Sequence, residues 1–523
     1  IGLIYALKKI FSCVSCIKVM NTNVHKLIID KLSFDKNLSF FSDIGSHNPI
    51  YIYINRDKTI LYHSLSLKNI LSEIKKSHKI EVDYFSLSFL LQNSLIPQPK
   101  TIFKNFYIVS GGQNAKINNE NNKFKISFNF NFPFHSRFRE KTNIPNREKF
   151  LRLISDSVSK RKFKNNSLLF HSAGKDSNII ALSLSKYFED KDKIKLVCGK
   201  YSSSTKRDES DISKKLAIKL GFKHQILYEK GKLLQNDIKN LEFFFEECPF
   251  PNLDPVKIAY PMYYDQIEFS SSNIIDGLGN DASMGYVGYK NDYYKQILFS
   301  KLAFIKKYVK KIDSTGRLNI LLSSRSELTG MTGFSFSEAK SFFTSASSTI
   351  DFWLKIDKNF NDFDFLDFRG VTRGMITDHE LFIRKVRNAT DVYSSNLILP
   401  FCDENVSEFM RKIPAKLAYD KKNFINKIFF REILLDELGL DSNKIGKLSY
   451  EFDFWSIIEK NEIYVKEQIF GCKYWDNKKK LEVLINNLKK KINENNKYLH
   501  TAKLLIYKIF MLSIWLNKNK YLN

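Results

Sequence analysis

Two spacings of apolar residues divide the chain. Between residues 20 and 134 apolar and polar positions alternate over short runs, as in Pro49-Ile50-Tyr51-Ile52-Tyr53-Ile54 and Phe124-Lys125-Ile126-Ser127-Phe128-Asn129-Phe130. A period of two reads as half-buried strands, so this segment is expected to form a small β-rich domain. Residues 135–147 are polar, carry Pro145 and read as a linker. From 148 to 523 short apolar runs alternate with helical patterns, and beyond about residue 290 the pattern is almost wholly helical.

The alternation after residue 148 sets the expected architecture. Strands at 167–171, 194–198, 225–228 and 273–275 are interleaved with helices at 176–188, 208–220 and 255–267, the last kinked at Pro261. Strands joined through helices imply right-handed β-α-β crossovers. The fold class is therefore α/β, a mostly parallel doubly wound sheet with a helical C-terminal part, preceded by the β-rich domain. The run Leu504 to Leu516, interrupted by Lys508, reads as a buried helix with Trp515 in the core. Residues 1–19 form a start segment whose apolar stretch is broken by Lys8, Lys9 and Lys18 and is too short to span a bilayer. The chain begins with Ile1, and Met20 is a candidate start.

Composition narrows the class. A length of 523 residues with 43% hydrophobic and 27% charged residues suits a soluble protein with two or three cores. The net charge of +27 would suit a nucleic-acid partner, but lysines are over-used everywhere and form no single stripe, so neither nucleic acid nor a membrane is expected as partner. Six cysteines at 13, 16, 198, 248, 402 and 472 are too scattered for a disulfide scaffold, and a cytoplasmic location is expected. Cys13-x-x-Cys16 lacks a second pair of metal ligands nearby.

Candidate chemistry sits where strands end. Ser172-Ala173-Gly174-Lys175-Asp176-Ser177 follows the first strand and opens a helix. Backbone N–H groups and the helix dipole favour an anion there, and an acid inside such a cradle points to a cation-bound polyphosphate. The spacing is not that of the common P-loop. Val197-Cys198-Gly199 and Asp276-Gly277-Leu278-Gly279-Asn280-Asp281 end two further strands, where ligands of such sheets bind. Asp176 and Asp281 could together hold Mg²⁺ on a pyrophosphate.

In their order these residues resemble the asparagine synthetase family. Ser172 to Ser177 looks like its pyrophosphate loop. Asp208-Glu209, Ala217, Leu220-Gly221 and His224 then follow, with Asp254-Pro255, the Asp276 to Asp281 turn, Gly285 and Gly288-Tyr289. Leu399-Pro400-Phe401-Cys402-Asp403, Ile413-Pro414, Lys427, Arg431 and Lys447 complete the succession. More loosely, Leu95 to Lys104 with Gly111-Gly112 resembles the end of the family's glutaminase domain. The resemblance implies an adenine-nucleotide α-hydrolase (HUP-like) ATP pyrophosphatase domain. It also implies ATP and Mg²⁺ as cofactors, activation of a carboxylate as acyl-adenylate, and attack by ammonia or an amine, as in asparagine biosynthesis. Asp176, Asp281 and Lys447 carry the implied catalysis, with Ser172, Ala173, Gly174, Lys175, Ser177, Val197, Cys198, Gly199, Gly277 and Gly279 on the nucleotide and Asp176 and Asp281 on the metal.

Two departures shape the expectation. Neither Ile1 nor Asn21, after Met20, supplies the nucleophilic cysteine of the family's glutaminase, so a separate glutaminase is a possible partner. Leu278 stands where relatives carry Glu or Tyr, and an alkyl group is no general base. Lys444 competes with Lys447 for the late-lysine role, Arg384 and Arg387 are candidates for the substrate side, and His224 and Asp403 read as structural, Asp403 as a helix cap. A tRNA-modifying pyrophosphatase with the same loop and a non-catalytic nucleotide-binding relative remain open alternatives.

Overall fold

The structure, a computed structural model, describes residues 15–17, 23–29, 38–130, 132, 135–161, 166–200, 208–270, 272–285, 300–307, 322–329, 331, 333–445, 452–494 and 498–522. Five parallel strands form its central sheet: Asn166–Phe170, Ile194–Lys200, Lys223–Tyr228, Ser272–Ile275 and Asn396–Ile398. Numbered along the chain, their spatial order is 3-2-1-4-5. The order reverses between Asn166–Phe170 and Ser272–Ile275, which makes their carboxyl ends the switch point where a crevice opens.

Successive residues explain how the sheet is covered on both faces. Leu169, Leu196 and Ile275 point into a core with Phe150, Ile154, Ile179 and Ile180 from helices Arg147–Ser159 and Lys175–Tyr187. Their neighbours Leu168, Val197 and Ile274 point the other way, into a larger core with Phe244, Tyr263, Ile506 and Trp515. A sheet buried on both faces needs apolar residues at consecutive positions, which is why these strands read as runs and not as alternations. Helix Leu499–Lys518 is long and apolar enough to cross a membrane by length and composition, yet it lies in this larger core. Trp515 is fully buried as expected, and its Nε1 donates to the Cys248 carbonyl at 3.0 Å.

The N-terminal region folds as two four-stranded, mainly antiparallel sheets. Ile50, Ile52 and Ile54 face the space between the sheets with Phe40, Ile117 and Phe124. Tyr51 and Tyr53 face the larger core instead, so one alternating strand joins two hydrophobic clusters. Helices Leu67–Lys75 and Tyr84–Asn93, capped by the side chains of Ser66 and Asp83, interrupt what the sequence pattern reads as strands alone. Their apolar residues Leu67, Ile70, Leu71 and Ile74 recur at helical spacing.

Two expectations need correction. Residues 255–267 form no continuous helix but a 3₁₀ turn, Pro255–Ile258, and a single α-turn, Ala259–Met262. Pro261 lacks the N–H that the ladder requires. Helix Gln235–Glu247 and strand Asn396–Ile398 belong to the architecture and are absent from the pattern reading. Within 135–147 most residues are exposed, but Arg139 is buried and donates to the carbonyls of Ile413 at 3.0 Å and Ser283 at 2.8 Å.

Candidate active site

Small residues at the end of the first strand let the chain turn tightly into helix Lys175–Tyr187. The Ser172 hydroxyl accepts from Gly174 N–H at 3.0 Å, and the Ser177 hydroxyl accepts from Ser172 N–H at 3.2 Å. Asn178 Nδ2 donates to the carbonyls of Ser172 and Gly174 at 3.0 and 2.7 Å. The loop is thereby held open around a helix start, whose first N–H groups lie outside the helical ladder. Gly277 packs so close to this loop that a Cβ there would sit 3.1 Å from the Asp176 Cβ and 3.2 Å from the Ser177 nitrogen.

A cleft of about 510 Å³ lies beyond the switch point. Ser172, Gly174, Lys175, Asp176 and Ser177 line it with Val197, Cys198, Gly199, Gly277 and Asp281, as the sequence suggests. Ala173 and Gly279 do not. Ala173 is turned into the loop's support, where its N–H donates to Glu209 Oε2 at 3.1 Å. Gly279, at φ +103°, is pressed on Cys402, and a Cβ there would lie 2.4 Å from Sγ. Its role is to let the turn pass, not to face a ligand. Leu278 is half-buried and lines the cleft beside Tyr260, Tyr263 and Val256.

The charged centre is a triad whose third member sequence order alone leaves undistinguished. Lys427 Nζ donates to Asp176 Oδ1 and Oδ2 at 2.8 and 2.7 Å and lies 2.8 Å from Asp281 Oδ1. Lys427 is 5% exposed and sits at φ +56°, ψ +40°, between hairpin strand Ile425–Asn426 and helix Ile428–Leu438. Its N–H is tied to the Ala418 carbonyl at 2.7 Å. Burial works against its charge, but the two carboxylates prevail and hold the ammonium above its usual range. Arg373, from the π-helical stretch Val371–Ile383, backs Asp281 at 3.4 Å.

Other groups divide into cleft and support. Asp276 lines the cleft near Lys385, and burial pushes its carboxyl up to about 6. Lys385 is in turn 3.3 Å from Asp254, the cap of the turn at Pro255. Burial raises the Cys198 thiol to about 12, which leaves it a poor nucleophile. Asp403 caps helix Glu404–Lys412 through Asn405 N–H at 3.0 Å. His224 pairs with Ser213 at 2.9 Å, and both are structural, as read from sequence.

Arg384 and Arg387 do not line this cleft. Arg384 is buried between Glu380 and Tyr51, while Arg387 donates to the carbonyls of Ser46 and His47, because their helix faces the N-terminal sheets. Lys444, with its side chain 86% exposed and 3.7 Å from Asp441, is no contender for the cleft. Lys447, Gly288 and Tyr289 lie outside the described residues.

His171 shows how the loop responds to acid. Its ring is fixed between Ser213 at 2.8 Å and Asn178 at 3.1 Å, and burial lowers its pKa to about 4. The unfolded chain protonates first, near 6.5. Its contribution to stability is thus complete above 6.5 and lost as pH falls towards 4, roughly 3 kcal/mol in all. His171→Gln is expected to flatten the dependence of the thermal midpoint on pH between 6.5 and 4, and an unchanged slope would contradict this account.

Asp176 and Asp281 fit a hard divalent cation, since carboxylate oxygens are its preferred ligands. The described residues contain no group of three or more His, Cys, Asp or Glu side chains that could hold a metal. Such an ion would complete its shell with oxygens from a ligand and from water. A family model described as Asparagine synthase matches residues 149–438, more than half of the chain. No curated protein matches it.

Proposed function

The chain belongs to the asparagine synthase family, and on that premise we propose that it is an ATP-dependent amide-forming ligase working through an acyl-adenylate. One observation carries this reading: the Ser172 to Ser177 loop and Asp281 converge, from two strand ends, on one cleft at the switch point. A substrate carboxylate oxygen attacks the α-phosphorus of ATP and pyrophosphate leaves. The nitrogen of ammonia or an amine then attacks the activated carbonyl, and AMP leaves.

The chain's own groups account for the first half. The N–H groups at the start of helix Lys175–Tyr187 hold phosphate oxygens, and Lys175 and Lys427 add positive charge where negative charge accumulates. Asp176 and Asp281 would hold Mg²⁺, which supplies further neutralisation of the phosphates. Lys447 is proposed for the same charge from its place in the family order. Val197 and Gly199 leave room at the second strand end for the nucleoside.

Leu278 bears on the second half. An alkyl side chain takes no proton, whereas Asp276, two residues earlier on the same turn, is a cleft carboxylate raised to about 6. A base of that pKa works near neutrality, and we assign it the proton of the attacking amine. Asp276→Asn is expected to preserve ATP/pyrophosphate exchange while lowering amide formation about a hundredfold. It is also expected to remove the rise in amide formation as pH passes 6. Equal loss of both reactions would reject the assignment.

The substrate is a small-molecule or peptide carboxylate paired with an amine or ammonia. Pyrophosphate release, measured with amino acids, peptides, sugar acids and tRNA in turn, tests the reading. Stimulation by one class of carboxylic acid is expected. Stimulation by tRNA alone, or by nothing, would overturn it.

A further inference from the structure

Lys427 stands in the place a divalent cation would take. One ammonium lies within 2.8 Å of three of the four oxygens of Asp176 and Asp281, and Arg373 stands 3.4 Å from the fourth, so a dication at the 2.0–2.1 Å that Mg²⁺ requires would sit against the ammonium's like charge. From this geometry we propose that Lys427 is the resident counter-ion of the aspartate pair until nucleotide arrives, and that it must leave the pair for the metal to bind. The inference rests on the reading of the cleft as a polyphosphate site.

Two features of the chain make the exchange possible. The backbone of Lys427 is anchored by the Ala418 carbonyl and by the left-handed junction between hairpin and helix, while its side chain borders the cleft and has a four-carbon stem whose rotation can carry the ammonium to a second position. Charge provides the direction. Two carboxylates and one ammonium sum to about one negative charge, too little to draw a strongly hydrated dication into a site with only two protein ligands. A polyphosphate adds several negative charges and the missing oxygen ligands. The ammonium would then move to the phosphates, which would leave Asp176 and Asp281 to hold the dication. Lys427 thus makes metal binding conditional on nucleotide.

Mn²⁺ bound per chain, measured by equilibrium dialysis, tests this without turnover. Wild-type protein alone is expected to take up no Mn²⁺ at the aspartate pair, and to take up one ion when α,β-methylene-ATP is added. Lys427→Met is expected to bind Mn²⁺ without nucleotide at least about tenfold more tightly than wild type, and Asp281→Asn in the same variant to abolish that binding. Equal nucleotide-free binding by wild type and Lys427→Met would overturn the proposal. Should Lys427→Met fail to fold by circular dichroism, the wild-type arm decides. Nucleotide-free uptake that disappears in Asp176→Asn would overturn the proposal, and uptake only with the analogue would support it. ATP/pyrophosphate exchange is scored separately, so a chain that shows the expected Mn²⁺ behaviour but no exchange fails the functional reading and not this one.

Discussion

Asp176→Asn and Asp281→Asn are each expected to lower carboxylate-dependent ATP/pyrophosphate exchange by about a hundred- to a thousandfold. Both side chains border the cleft and are partly exposed, so their loss removes charge from the site and not volume from a core. Asparagine keeps the shape of either residue and still offers an oxygen to Lys427. Unfolding midpoints should therefore stay close to wild type, with Asp281→Asn the lower of the two because the negative charge 3.4 Å from Arg373 is also removed. Exchange retained in both variants would remove the metal and phosphate assignments together.

The second large effect concerns the seam between the N-terminal sheets and the rest of the molecule. Arg384 Nη2 lies 3.2 and 3.3 Å from the two oxygens of Glu380, Nη1 is 2.8 Å from the Tyr51 hydroxyl, and Gln98 Nε2 donates to Glu380 at 3.1 Å. Burial disfavours the guanidinium charge, but Glu380 and Tyr51 overcome it and hold Arg384 above its usual range. Glu380→Ala leaves that guanidinium buried without its carboxylate, at a cost of about 3–5 kcal/mol. Removing both charges, as Glu380→Leu with Arg384→Met, should restore part of the lost stability, because no unpaired charge stays buried although the Tyr51 hydroxyl and Gln98 Nε2 lose these partners. Urea unfolding of the single and double variants measures this. A double variant as unstable as Glu380→Ala would show that the pair is not what holds the seam.

Particular residues show how far the chain can be read without coordinates. Ser172 to Ser177, Asp276 to Asp281 and the strands before them are local: a short apolar run, small residues and an acid within a few positions. Their types state the turn and its chemistry. Arg384 and Arg387 carry no such local signal. Whether a basic helix face meets a cleft or a neighbouring sheet depends on which elements pack against it, and here Tyr51, more than three hundred residues away, takes the partner's place. Pro261 signals a kink, and the segment is instead divided into a 3₁₀ turn and a single α-turn.

By itself the sequence determined the parallel α/β sheet, the loop after its first strand, the pairing of Asp176 with Asp281 as candidate ligands, and the family. Each of these follows from residue types at short range or from their order along the chain. Only the tertiary structure decided that the strands lie in the order 3-2-1-4-5, that Ala173 and Gly279 turn away from the cleft, and that Lys427 closes the aspartate pair. The reason is that Lys427 meets Asp176 across 251 residues, and among 83 lysines and arginines only a packed hairpin junction selects which one reaches the site.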